Sequence, residues 1–232
     1  MHDDDDLKKI LDYITVKGMQ LFYVIYFSLA AITMSSSSVA LASSSASSVL
    51  ESRLKAALWG LFSGDALSAP THWYYGGKNQ IVRDYGGLLT GYTKPNFDLY
   101  GSIMNKSNVN GGGRGSFSKR DGISIIGDVI NHGKRDYWNP KRQIHYHATL
   151  QAGENTLEAQ LVRVLMKSVV DSGGEFNTDN FRNAYMEFMM KPGSHNDTYA
   201  STCHRMFFAN LVFRKRMPQD CPDNDHHNGA CW

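Results

Sequence analysis

Cysteine is scarce in this chain. Cys203, Cys221 and Cys231 are the only three among 232 residues, too few and too clustered for a disulfide framework. Cys221 can pair with Cys231, which leaves Cys203 over, so sulfur does not report the redox compartment. An excess of charge is missing too. The 24 Lys+Arg against 22 Asp+Glu give a formal net charge of +2, and no Lys/Arg stripe stands out, so nucleic acid is not an expected partner. There is also no Cys-x-x-Cys or His-Glu-x-x-His spacing to announce a zinc site. The apolar run Leu21 to Ala31, even extended to Met19 and Met34, falls short of the roughly 20 residues that span a bilayer.

The first 48 residues stand apart. "MHDDDDLKK" is charged, the apolar run follows Lys17, and a Ser-rich stretch with Ala40-Leu41-Ala42 comes next. An apolar run followed by small residues has the form of a secretory signal or anchor, although four aspartates occupy the place where positive charge is usual. On that reading the chain is secretory or membrane-anchored through residues 19–42, with membrane contact at 19–34. On the other, Met34 starts the functional protein, a Ser/Ala linker follows, and the protein is cytoplasmic. Residues 49–232 are then the folded domain.

Within that domain the dominant pattern is helical. Leu54, Leu58 and Leu61 share one face of a helix that Pro70 must end. Leu157, Leu161, Val164, Leu165 and Val169 make a second stripe. Phe181, Tyr185, Phe188 and Met189 make a third, with Asn177 or Thr178 as its cap and Pro192-Gly193 as its stop. Tyr199, Cys203, Met206, Phe207 and Leu211 make a fourth, with Asn196 or Asp197 as N-cap and Arg214, Lys215 and Arg216 suiting the C-terminal dipole. No convincing alternating strand occurs, so the predicted fold class is all-α: an orthogonal multi-helix bundle with long irregular loops. Residues 73–150, rich in Gly and Asn, show little periodicity and read as those loops.

Three features suggest chemistry. Asp65 continues the Leu54–Leu58–Leu61 stripe, and a carboxylate on a core face must be hydrogen-bonded, paired or metal-linked unless it caps a local turn. Gly153-Glu154-Asn155-Thr156, at the entrance of the second helix, reads either as a cap or as a metal-binding turn. Gly111-Gly112-Gly113-Arg114-Gly115 is either a plain loop or a cradle whose amides, with Arg114, wrap a phosphate. His145-Tyr146-His147, and Asp223, Asp225, His226 and His227, are weaker candidates for a metal centre. Cys203 and His204 are adjacent on a helix and point about 100° apart, so they do not form a nucleophile–base pair. Arg205 and Asn210 remain as candidates for the edge of a polar cleft.

"AALWGLFSGDALSAPTHW" together with "AGENTLEAQL" resembles the ADP-ribosylglycohydrolase family. The family's opening helix reads Gly, three residues, then Gly-Asp-Ala-Leu-Gly-x-Pro-x-Glu, and Gly60, Gly64, Asp65, Ala66, Leu67, Ala69 and Pro70 fit that frame. "DTYASTCHRMFFAN" and "DNDHHNGA" resemble later family elements. The resemblance spans roughly residues 50–232 and implies an all-α helical fold that hydrolyses the bond between ADP-ribose and a modified substrate. The alternative is a crystallin-like scaffold, or an ADP-ribose binder, of the same family.

The resemblance also implies a pair of Mg²⁺ ions held by a Thr-Asp-Asp-Thr turn, the glutamate after the proline and a later Asp-x-Asp-Thr. In this chain Gly153, Glu154, Asn155 and Thr156 occupy the turn, His72 takes the glutamate's place, and the Asp-x-Asp-Thr has no counterpart before Trp232. The domain therefore reads as the N-terminal portion of such a fold with a substituted metal site. Asp65 and Glu154 are the expected catalytic residues. Asn155, Thr156, Arg114, Gly112 and Gly113 are the expected substrate contacts, and Glu154, Asn155, Thr156 and His72 the expected metal ligands. Mg²⁺ is the metal the resemblance implies. Zn²⁺ is the alternative, because imidazole suits it better.

Overall fold

The computed structural model describes residues 43–102, 104, 107–112, 115–116, 122–139 and 141–223. The signal-like run, its possible membrane contact at 19–34 and the cluster Asp225, His226, His227 lie outside them, as does Cys231. No helix among the described residues is long and apolar enough to cross a membrane. The fold is all-α, as the periodicity predicts, with long irregular connections and, among the described residues, a single small ribbon.

Helix α1, Ser43–Ser68, takes in the end of the Ser-rich stretch before running through the predicted stripe. Pro70 converts its end into a tight 3₁₀ turn, Ala69–Thr71. Leu54 and Ala66 are buried and Leu58 and Leu61 partly so, whereas Trp59 on the same helix is 73% exposed. Helix α2, Gly77–Tyr85, sits inside the stretch that reads as loop. It is short and bracketed by glycines, and only Ile81 and Tyr85 pack partly buried against the core, too brief a stripe to stand out among loop residues. Gly86 ends it with a left-handed φ of 75°. A ribbon pairs β1, Gly111–Gly112, antiparallel to β2, Gly115–Ser116.

The C-terminal half packs more tightly. Helix α3, Leu157–Asp171, lies beside helix α4, Thr178–Met190, and both bury the predicted faces. Leu157, Leu161 and Val169 are buried on one helix, and Phe181, Tyr185 and Met189 on the other. Of the two expected caps, Asn177 rather than Thr178 caps α4, its Oδ1 accepting the N–H groups of Asp179 and Asn180. Helix α5, Thr202–Phe213, is the central one, with every residue from Cys203 to Asn210 buried. Tyr185 of α4 packs edge-on against Phe207, with ring centroids 5.2 Å apart. A helix buried all round must satisfy its polar residues internally.

Two expectations fail at α5 for that reason. Its N-cap is Ser201, not Asn196 or Asp197; Asp197 instead serves a different helix. Arg205 and Asn210 are buried, 3% and 0% exposed, rather than on a cleft edge. Arg205 donates to the carbonyls of Gly111 and Ala200 and lies 5.0 Å from the centre of the Trp138 ring.

Candidate functional site

The misplaced carboxylate on α1 finds its partners across the fold, not in a local turn. Asp65 Oδ1 accepts the Thr156 hydroxyl at 2.6 Å, and Oδ2 accepts the Thr156 amide at 2.8 Å and the Asn155 side-chain amide at 3.0 Å. The same Asn155 nitrogen donates to the carbonyl of Phe62 at 2.7 Å. Thr156 is the N-cap of α3, but its own side chain caps nothing. The next amide, Leu157 N–H, is taken by Asp197 Oδ2 at 2.8 Å. Two carboxylates from distant parts of the chain thus complete the orphaned amides of one helix start, where the helix dipole favours negative charge.

Behind this clamp runs a chain of imidazoles. Asp197 Oδ1 accepts from His147 Nδ1 at 2.8 Å and from the Tyr199 amide at 3.2 Å. His147 Nε2 lies 2.6 Å from His72 Nδ1, and His145 Nε2 reaches the carbonyl of Pro70 at 3.0 Å. Burial alone would raise the Asp197 carboxyl, but the His147 ring and the surrounding donors hold it below the usual carboxylate range. Burial, with His147 adding to it, pushes His72 and His145 down to about 4, so both rings are neutral near pH 7. A carboxylate only accepts, so Nδ1 of His147 carries the proton of that bond.

Glu154, on the same turn, faces the other way. Gly153 holds the turn at φ 83° with Tyr92 packed 3.7 Å from where a Cβ would stand. Glu154 Oε2 accepts the Gln151 amide at 2.7 Å and the Asn196 side-chain amide at 2.9 Å. The carboxylate borders a cleft of about 460 Å³ whose lining includes Asn131, Lys134, Gln160, Lys191, His195 and Asn196. Burial pushes both the Lys134 ammonium and the His195 imidazole below their ordinary values.

The expected site residues therefore divide. Asp65, Asn155 and Thr156 meet in one hydrogen-bonded clamp. Glu154 stands on the cleft, and His72 belongs to the imidazole chain. Gly112 packs on the start of α5: a Cβ there would come within 2.9 Å of Thr202 Cγ2, and its neighbour Gly111 is held by Arg205. Gly113 and Arg114 lie outside the described residues. His145 and His147 are spoken for by backbone and Asp197 partners. Asp223 is described, but the rest of its cluster is not. Cys221 is a buried free thiol. The Cys203 thiol lies 3.0 Å from the Ser201 hydroxyl. His204 bridges Tyr185 Oη at 2.9 Å and Glu158 Oε2 at 3.1 Å. Burial opposes protonation of His204, yet Glu158 outweighs it and lifts the imidazole to about 9.

These donors do not make a magnesium shell. Glu154 contributes the only carboxylate on the turn, Asn155 can offer only a neutral amide oxygen, and one nitrogen of His72 is committed to His147. Among the described residues no group of three or more His, Cys, Asp or Glu is placed to hold a metal ion. Mg²⁺ prefers an octahedral set of oxygens, which the clamp spends on protein donors.

The model of the ADP-ribosylglycohydrolase family matches residues 46–231. The chain belongs to the ADP-ribosylglycohydrolase family. No curated protein and no solved structure matches it. Family membership places the Asp65 helix and the Gly153–Thr156 turn within a hydrolase scaffold. The sequence alone did not point to Lys134 or His195, which lie in irregular segments, and named Asn196 only as a helix cap. Asp197 was visible only as a cap for its own helix. The one available signal was the polar run His195-Asn196-Asp197-Thr198 between a Pro-Gly stop and an apolar helix, more polar atoms than one cap needs.

Proposed function

We propose that the protein is a hydrolase that cleaves the glycosidic bond between ADP-ribose and a modified substrate, with Glu154 as the carboxylate beside the reacting carbon. One observation carries this reading: within a family of hydrolases, the turn that opens α3 sets a single carboxylate on the wall of a polar cleft. Glu154 Oε2 is fixed by Gln151 and Asn196, which leaves Oε1 to accept a proton from an attacking water or to stabilise positive charge developing on the ribose. In this reading Asp65 is a positioning residue, because its carboxylate already accepts three hydrogen bonds that hold the turn. His72, whose Nδ1 is bonded to His147, belongs to the imidazole chain behind that clamp.

A second reading has its own support. The saturated clamp and the lack of a grouped metal-ligand set among the described residues suit a member that binds ADP-ribose without turning it over. Release of ADP-ribose from an ADP-ribosylated protein, assayed with Mg²⁺, with Zn²⁺ and with chelator, separates the two. Release in any of these conditions supports the hydrolase. Saturable ADP-ribose binding with no release in all three establishes the binder, and no binding at all rejects both.

A further inference from the structure

Of the ring nitrogens in the imidazole chain, a single one has no partner among the described residues. The buried Asp197 carboxylate only accepts, so its 2.8 Å bond to His147 places the proton on Nδ1 of that ring. A neutral imidazole has one N–H, so Nε2 of His147 is an acceptor. The proton in the 2.6 Å contact therefore belongs to Nδ1 of His72. The two ring planes are 12° apart and the centroids 4.9 Å apart, so this N–H runs along the line between the rings. His72 is thereby fixed in the tautomer whose Nε2 carries the lone pair. Its ring is half-buried, and Nε2 takes no hydrogen bond from the described residues. His145 differs. Its Nε2 donates to the Pro70 carbonyl and its Nδ1 accepts the His147 amide at 3.0 Å, so it braces the backbone near both imidazoles.

The backbone beside His72 is strained. Trp73 has a φ of 58°, a left-handed conformation rare for a bulky side chain. Its ring packs 4.7 Å from His72 and edge-on against Tyr146 at 4.6 Å. Such strain persists only where the surrounding packing over-determines the geometry. Adjacent residues also tie the chain to the cleft carboxylate: Asn196 holds Glu154 Oε2 while Asp197 holds His147.

We propose that Asp197, His147 and His72 form a proton relay, and that Nε2 of His72 takes the proton from the water that attacks the ribose carbon. A lone pair of the water forms the new bond to that carbon, and the O–H electron pair stays on oxygen as the proton leaves. Glu154 stabilises the positive charge developing on the ribose. The glycosidic electron pair leaves with the modified residue, which is protonated from solvent. His72 passes the proton on its Nδ1 to Nε2 of His147, so the charge comes to rest beside Asp197, and loss of a proton to solvent resets the relay. His147 and Asp197 are positioning residues. The role of the base rests on the hydrolase reading, but the fixed tautomer does not.

Long-range ¹H–¹⁵N NMR of the ring nitrogens and steady-state ADP-ribose release test this on the full chain. Near neutral pH the expected signature is a protonated Nδ1 and a bare Nε2 on both His147 and His72. A protonated Nε2 on His72 overturns the relay whatever the variants do. His72→Asn keeps a donor for His147 and removes the base. With an unfolding midpoint matching wild type, it should lose about hundredfold or more in kcat with KM within about threefold, and added imidazole should restore part of the rate. A loss that imidazole does not restore assigns His72 a structural role and overturns the base. Undiminished kcat in His72→Asn beside an active wild type does the same, while leaving the hydrolase reading intact. Should that variant not fold, His72→Gln decides in its place by the same criteria. No release by wild type with Mg²⁺, with Zn²⁺ or with chelator rejects the base and the hydrolase reading together.

Discussion

Two polar clusters flank the turn Gly153–Thr156, and they are built on opposite principles. On one side, Asp65 and Asp197 sit in a saturated network: three donors on Asp65, three on Asp197, and imidazoles stacked behind. On the other, Glu154, Lys134, Asn131 and His195 line an open cleft, and Asn131 Oδ1 and His195 Nδ1 are buried without a hydrogen-bond partner. The first arrangement is what a fold needs to place a helix start, because every buried charge is compensated where it lies. The second is what a ligand needs. Family resemblance put Asp65 and Glu154 in one catalytic set, and the hydrogen-bond inventory separates them.

Mutation can break this contrast, and the largest effect on stability is expected at Asp197. Replacing it by Ala strands the His147 proton and the amides of Leu157 and Tyr199, so unfolding in urea should show a loss of about 3–5 kcal/mol. Asp65→Ala comes next. It removes the acceptor for Asn155 and both Thr156 donors, with an expected loss of about 2–3 kcal/mol in the same measurement. Gly112→Ala follows, because the added methyl meets Thr202 on the buried start of α5; a loss of about 1–3 kcal/mol is expected from that overpacking. Glu154→Gln, on the open side, should stay within about 1 kcal/mol of wild type while abolishing ADP-ribose release. A reversed order, with Glu154 the structurally costly residue and Asp65 the tolerated one, would refute the division.

The pH dependence of stability sharpens the same comparison. His72 and His145 fall to about 4 in the folded protein against an ordinary 6.5. Between those values the unfolded chain binds more protons, so their contribution is complete above about 6.5 and is lost as the pH falls toward 4. His204 runs the other way. Its folded value near 9 gives a contribution present below 6.5 and lost as the pH rises through about 9. Thermal unfolding between pH 4 and 10 should therefore peak near neutrality. Removing His204 by His204→Gln should flatten the alkaline limb and spare the acid one.

The helices were legible in the sequence where they carry a periodic apolar face. The stripes of α3 and α4 and the Asn177 cap follow from spacing alone, since a helix buries what recurs every three or four residues. Helix α2 was missed, because nine residues between glycines carry only the brief Ile81–Tyr85 stripe against the core. The start of α5 was misjudged for a related reason: Asp197 looks like a local cap, and its real partners, His147 and Leu157, lie 50 and 40 residues away. The cleft illustrates the same limit. Lys134, Glu154 and His195 come from separate irregular segments, and only the folded backbone brings them together. Asp65 could be recognised as out of place on its helix face, but not by whom it was satisfied.

In the proposed function Glu154, not the Asp65 clamp, faces the substrate. The most direct measurement is ADP-ribose release from an ADP-ribosylated protein by wild type and by Glu154→Gln, with equal unfolding midpoints confirmed first. Wild type is expected to release ADP-ribose and the variant to release none. Equal release from both proteins would contradict this assignment.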